Sequence, residues 1–338
     1  MGLDATSKYG WCSAGHREVG TVTPVTTRRE DILRVDNDAL TRLTAELGGG
    51  EMIVPDWRLE VYPQSDDATF IQFIGVMNAL NYCFFNPSEG EKFAVYWRGA
   101  TWGGATGLCA ALQRALDNGD NILDVGRLGE LTITEAEGIF SSDGGALPLL
   151  RERVAYLNSL SASLAKYQGS FAEMVKECNY DATEIIAHLV TEFAAYGGDS
   201  CMDPETKEWY RFDKRARLFC LIYEGRARSS AGKLPTLENI DQVGAPVDYQ
   251  LPRMLRDRGV LVYGEELSRK VDNGVLIPAG SEEELTLRLS TEAAIGELLV
   301  GINAQREKKI SMVELDFALW VGGRQAAGRH HLTMTTAY

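Results

Sequence analysis

Apolar residues recur every three or four positions through most of the chain, the spacing of helices that bury one face. Between Ser65 and Phe85, the residues Phe70, Phe73, Ile74, Met77 and Leu80 share such a face, and Leu149, Val154, Leu157, Leu160 and Leu164 form a second. Stripes of this kind are core, so Phe70 and Phe73 are expected to pack rather than to offer a ligand platform. Helix starts are marked where Ser, Thr or Asp precedes Glu by three, because each side chain can then satisfy an orphaned backbone donor. Thr27 with Glu30, Thr134 with Glu137, Asp181 with Glu184, Ser281 with Glu284 and Ser311 with Glu314 carry this signal. Strand-like runs are short: Phe93–Arg98, Trp209–Phe212 and Leu131–Thr134 could form a small hairpin or sheet edge. Glycine-rich points at 48–50, 99–107, 144–145 and 322–323 punctuate the pattern without reading as linkers. The prediction is a mainly α chain forming one domain over residues 1–338, which a cleft could divide into two lobes, with residues 1–25 as an extended arm.

Composition narrows the function classes. The chain has 338 residues and 34 Lys plus Arg against 48 Asp plus Glu, a formal charge of -14. That balance disfavours a surface for tracking polymeric nucleic acid, yet leaves room for a few basic groups gathered in one pocket around a small anion. Cys12, Cys83, Cys109, Cys178, Cys201 and Cys220 include no CxxC pair; no secretory leader is expected, and reduced core thiols in a cytoplasm are. With only His16, His188, His330 and His331 and no HExxH, no metal site is expected, and no apolar run is long enough to span a membrane. GxGxxG, GxxxxGK[ST] and GxSxG are all absent, which removes dinucleotide, P-loop and serine-nucleophile readings.

Two segments set an acid among apolar and aromatic neighbours, where an unpaired carboxylate is costly to bury. They are Val247-Asp248-Tyr249-Gln250-Leu251-Pro252 and Glu314-Leu315-Asp316-Phe317-Ala318-Leu319-Trp320. The bland reading of Asp248 is a helix N-cap, and that of Asp316 is a first-turn acid favoured by the helix dipole after Ser311. A third segment, Arg211–Phe219, carries mixed charge on what reads as a helix with a solvated face; Lys214 finds Leu218 rather than an acid at i+4, so it could point into a pocket.

At these segments the chain resembles the queuosine salvage proteins. The similarity runs in order through Trp57-Arg58-Leu59, Asn78–Phe85, Trp97-Arg98-Gly99, Leu108–Gly119, Gly169-Ser170-Phe171, Lys214-Arg215-Ala216, Val247–Arg253, Gly280–Glu284 with Arg288, Leu315-Asp316-Phe317, and the closing His331 and Tyr338. The resemblance implies a fold like that of helical DNA glycosylases. It also implies a hydrolase, monomeric or weakly dimeric, that needs no metal or organic cofactor and releases queuine from queuosine 5'-phosphate. By the same resemblance Asp248 would stabilise the oxocarbenium-like transition state and orient the attacking water. Lys214 would either hold the 5'-phosphate or keep Asp248 ionised. Asp316 would accept hydrogen bonds from the base edge or its cationic arm, Phe317 and Tyr249 would flank the base, and Trp320 and His331 would complete the substrate-binding set.

The chain departs from the family pattern at Pro246, Val321, Leu332 and Met334, where an aromatic, an acid and two arginines are usual. A pocket reshaped for a related 7-deazapurine nucleotide is therefore expected. The alternatives are a nucleotide-binding protein whose catalytic constellation has decayed and a true DNA or RNA glycosylase acting on flipped bases, the latter opposed by the charge of -14.

Overall fold

The computed structural model describes residues 25, 27, 29–86, 91–203 and 205–338. Among them are thirteen α-helices: α1 (Asn37–Gly49), α2 (Ala68–Ala79), α3 (Ala105–Asp117), α4 (Val125–Gly129), α5 (Ile133–Ile139), α6 (Leu150–Leu164), α7 (Phe171–Glu177), α8 (Ala182–Glu192), α9 (Lys214–Ser229), α10 (Gln250–Asp257), α11 (Glu265–Asp272), α12 (Glu282–Ala304) and α13 (Met312–Gln325). Six short strands, β1 (Leu33–Val35), β2 (Ala94–Trp97), β3 (Ala100–Gly103), β4 (Ser200–Met202), β5 (Trp209–Arg211) and β6 (Leu261–Tyr263), make three antiparallel pairs, β1 with β6, β2 with β3 and β4 with β5. The chain is mainly α, with sheet reduced to these ribbons. The expected N-terminal arm falls almost wholly outside the described residues, as do Cys12 and His16.

Capping explains most helix starts and two failures of the pattern. Asp181, Ser281 and Ser311 cap α8, α12 and α13 as expected, the last through a reciprocal box with Glu314. Thr27 starts no helix; its hydroxyl accepts the Val35 N–H at 3.2 Å and so serves β1. The box predicted at Thr134 lies two residues earlier, at Thr132 and Glu135, which turns the expected strand at Leu131–Thr134 into the head of α5. The β2–β3 hairpin turns at Arg98 and Gly99, both at positive φ, the geometry that two-residue hairpin turns require.

The apolar stripe of α2 is buried as predicted, with Phe70 and Phe73 at 0% exposure, and the core extends around it without a break. Cys83, Cys109, Cys178 and Cys220 are buried free thiols within the same interior. The expected solvated face of the Arg211–Phe219 segment is absent. Helix α9 begins only at Lys214 and is buried along almost its whole length.

Its charges survive burial because α2 ends against them. The last carbonyls of a helix lack intrahelical donors, and here Ala79 O accepts from Arg215 (2.9 Å), Asn81 O from the Lys214 ammonium (2.9 Å) and Cys83 O from Arg153 (2.8 Å). Arg153 also donates to Leu80 O and Tyr82 O, so carbonyls from Ala79 to Cys83 meet three buried cations. On the other side, α10 and α13 pack closely because Gly323 lets the Gln250 carbonyl approach; a Cβ at that position would stand 2.5 Å from it.

Candidate active site

Helices α9, α10 and α13, the hairpin β2–β3 with the start of α3, and the 56–62 loop surround a cleft enclosing about 860 Å³, part of it open to solvent. Helices α9 and α13 each present a face at i, i+4 spacing: Lys214, Leu218 and Ile222 from α9, and Asp316, Trp320 and Arg324 from α13. The 56–62 loop is fixed from behind by Arg226, whose guanidinium lies 4.0 Å from the Phe70 ring centre and donates to the carbonyls of Asp56 (2.7 Å) and Trp57. Trp57, thus placed, meets Phe317 edge-on at 5.6 Å, and Phe317 stacks on Trp320 at 6.3 Å. Aromatic and apolar surface therefore forms much of the wall.

Asp248, Lys214, Asp316, Phe317, Tyr249 and Trp320, scattered in sequence, all line this cleft. His331 does not; it stands behind Tyr338, its Nε2 within 3.1 Å of that residue's hydroxyl, and burial lowers its pKa to about 3. Tyr338 is the residue that lines the cleft. Of the positions where the chain departs from the family pattern, Pro246 is in the cleft wall. Leu332 and Met334 face a smaller neighbouring cavity bounded by Tyr249 and Tyr338. Glu60 stays outside, exposed and near Arg98.

Asp248 serves the start of α10 from one residue ahead of its N-cap, Tyr249. Its Oδ1 accepts the backbone N–H of Gln250 (2.7 Å) and of Leu251 (3.2 Å), anchoring the start of α10 while the carboxyl borders the cleft. Burial pushes its pKa up, and Lys214 together with these two N–H groups pulls it back. Asp316 is not a first-turn acid; that place belongs to Glu314, two residues earlier. No described residue gives the Asp316 side chain a hydrogen bond, and burial, reinforced by the nearby Asp248 charge, raises its pKa to about 8. Lys214 is only 3% exposed, and burial lowers its pKa to about 8 against the opposing pull of Asp248.

Beneath Lys214 lies a buried, bidentate ion pair. Asp199 accepts the Lys214 backbone N–H at 2.9 Å and takes a bidentate contact from Arg288 at 2.6 and 3.0 Å. Arg288 also donates to Val247 O (3.2 Å), the residue before Asp248, and stacks between Phe212 and Tyr338. One guanidinium thus ties the start of α9, the Asp248 turn and the Tyr338 wall together.

Sequence reasoning missed Lys92, Tyr62, Asn81, Thr106, Gln250 and Arg324 as cleft residues. Arg324 was legible as the second i+4 step from Asp316. Lys92 precedes a hairpin and carries no periodic signal. Among the described residues, no group of three or more His, Cys, Asp or Glu side chains is placed to hold a metal, and no helix is long and apolar enough to cross a membrane.

The profile of a family described as "Queuosine salvage protein" matches residues 61–338. A protein of Sphaerobacter thermophilus named "Queuosine 5'-phosphate N-glycosylase/hydrolase" is 26% identical over 322 residues, covering 94% of this chain and 97% of that one. Proteins of the same name from Bos taurus and Mus musculus are 28% and 27% identical, covering 82% and 89% of this chain and 83% and 91% of theirs.

Proposed function

The chain belongs to the queuosine salvage protein family, and from that premise we propose that it hydrolyses the N-glycosidic bond of queuosine 5'-phosphate or a close 7-deazapurine nucleotide, with Asp248 and Asp316 in opposite protonation states. One observation carries this reading. Two carboxyls share the cleft with Lys214, one held by backbone N–H groups and a cation, the other without a donor in a dry wall. Environments that push two acids apart assign the base to one and the acid to the other.

Asp248, ionised, faces the sugar and stabilises the positive charge that develops at C1'. As the bond from C1' to the base nitrogen breaks, its electron pair leaves with the base. A water oxygen then bonds to C1' and gives its proton to the Asp248 carboxylate. Asp316, neutral near pH 7, donates its proton to the departing base. That donation matters because a 7-deazapurine has carbon where guanine has N7, the position at which a purine leaving group is readily protonated. Free base and ribose 5-phosphate result, and exchange with solvent returns Asp316 to its acid form and Asp248 to its carboxylate.

Lys214 takes the tuning role rather than the phosphate-holding one. It donates to Asn81 O and faces both acids, so a phosphate dianion there would be crowded against Asp248. Phe317, Trp320 and Tyr249 supply aromatic surface for the base, where stacking contributes roughly 1–3 kcal/mol. His331 acts through Tyr338. A binding protein that had lost turnover would have no use for Asp316, since an unpartnered buried carboxyl costs stability. The formal charge of -14 opposes a polymeric substrate, and the free thiols suit a cytoplasmic setting. Chromatography of reactions with queuosine 5'-phosphate and simpler 7-deazapurine nucleotides should show free base; its absence from all of them would remove the glycosidase reading.

A further inference from the structure

A second, smaller cavity of about 310 Å³, part of it open to solvent, adjoins the cleft, and Phe84, Tyr249 and Tyr338 line both. Its lining brings together the Cys83 thiol, the Met334 thioether and the His331 imidazole. Cys83 Sγ stands 3.7 Å from Met334 Sδ. Two sulfurs at that separation can share one ion at roughly 2.3 Å from each, the two bonds meeting at about 107°, close to tetrahedral. Packing alone would account for the contact, since the thiol also lies 3.9 Å from Phe85 O and a free Cys is a weak donor in a core. Two further features are left unaccounted for. Cys83 adopts φ 40°, a left-handed backbone that costs a non-glycine residue energy, and it is held there by its N–H on Tyr338 O (3.0 Å) and by Arg153 on its own carbonyl (2.8 Å). His331, 2% exposed, meets Tyr338 through Nε2, while its Nδ1 has no partner among the described residues. A bare ring nitrogen in the wall of a cavity that also holds two sulfurs calls for a ligand.

The chemistry of the donors selects the ion. Thiolate and thioether sulfurs suit a soft cation, an imidazole accepts one, and no carboxylate that a hard cation would need is among the described residues lining the cavity. We infer that Cys83, Met334 and His331 form a binding site for one copper(I) ion. Only two of the three are His or Cys, the third donor being a thioether. Burial keeps the free Cys83 thiol protonated, so binding forms the copper–sulfur bond as the proton leaves to solvent, with no change of oxidation state. Leu276 and Met334, both exposed, form a rim through which the ion enters. Its ligands come from the segment after α2 and from the last residues of the chain, so a bound ion pins these together beside Tyr249 and Tyr338.

The test uses the full chain with Cys12 and Cys201 changed to Ser, so that copper taken up by those thiols is not counted. Anaerobic titration with copper(I) against a chromogenic chelator should show one ion held per chain, and the ion should raise the unfolding temperature. Even the outer partners of a metal site are worth roughly ten- to a hundredfold in affinity, and a direct ligand no less. M334L should therefore weaken binding by about tenfold or more and C83S by about a hundredfold or more, with the thermal shift reduced in step. Should C83S fail to fold, M334L decides alone, since its position is 38% exposed and the substitution keeps the apolar bulk. No copper held by the parent, or copper held equally by the parent and M334L, overturns the site. Neither outcome bears on base release, so the glycosidase reading stands or falls separately.

Discussion

Asp199 and Asp316 are both nearly excluded from water in the neighbourhood of Lys214, at 2% and 7% exposure, and their surroundings treat them in opposite ways. Asp199 has Arg288 on both oxygens and a backbone N–H besides, so its pKa lies below the ordinary carboxyl value despite burial. Asp316 has no such donors and is pushed to about 8. A buried acid whose hydrogen bonds are complete belongs to the architecture. One whose bonds are incomplete is the acid to which the proposed mechanism gives work.

The sharpest way to break this contrast is at the third acid. Asp248→Asn should lower the rate of base release by about a hundredfold to ten-thousandfold while nucleotide binding persists, read by single-turnover kinetics beside calorimetry. Binding and turnover lost together would make Asp248 only the anchor of α10. Next comes the architectural acid. Asp199→Ala leaves Arg288 uncompensated and should cost about 3–5 kcal/mol in denaturant unfolding, whereas Asp316→Asn should leave stability near neutral pH unchanged or raised by about 1 kcal/mol. Equal destabilisation by the two substitutions would end the comparison.

Subtler effects follow from linkage. The folded pKa of Asp316 lies above the ordinary carboxyl value, so the stability attached to its neutral form is complete below about pH 4 and is lost as pH rises through about 8. Thermal unfolding between these limits should show that slope in the parent and a flatter one in Asp316→Asn. Base release should decline through the same upper limit, as Asp316 loses its proton and Lys214 its charge, and an unchanged rate at pH 9 would refute the acid role. The smallest effect concerns Arg288→Lys, which keeps a positive charge under Asp199 but cannot match the fork that also reaches Val247 O. It should lower kcat about tenfold with KM little altered. A general loss of folded protein, with kcat unchanged in what remains, would show Arg288 to be structural alone.

Local signals were the legible part of the sequence. Asp181, Ser281 and Ser311 cap helices because capping needs only neighbours a few residues apart, and Asp248 and Asp316 stood out because acids among apolar residues are conspicuous. The same local logic misread Thr27, whose hydroxyl is used by a backbone donor eight residues on, and the Lys214–Arg217 stretch, whose burial depends on α2 ending against it. Asp199 could not be sorted from Asp316 in the sequence, since the difference lies in the Arg288 guanidinium and the Lys214 backbone N–H, which tertiary structure brings to the first and not to the second. Lys92 had no signal because only tertiary structure puts it in the cleft wall.

The row of carbonyls from Ala79 to Cys83, gripped by Arg153, Arg215 and Lys214, has a consequence for how the protein comes apart in acid. Amide oxygens take up no proton at pH values that neutralise carboxylates, so these contacts persist while the Asp199–Arg288 clasp opens. Amide hydrogen exchange at falling pH should therefore loosen the head of α12 before the seam between α2 and α9, leaving Lys214 seated on an acid-proof floor.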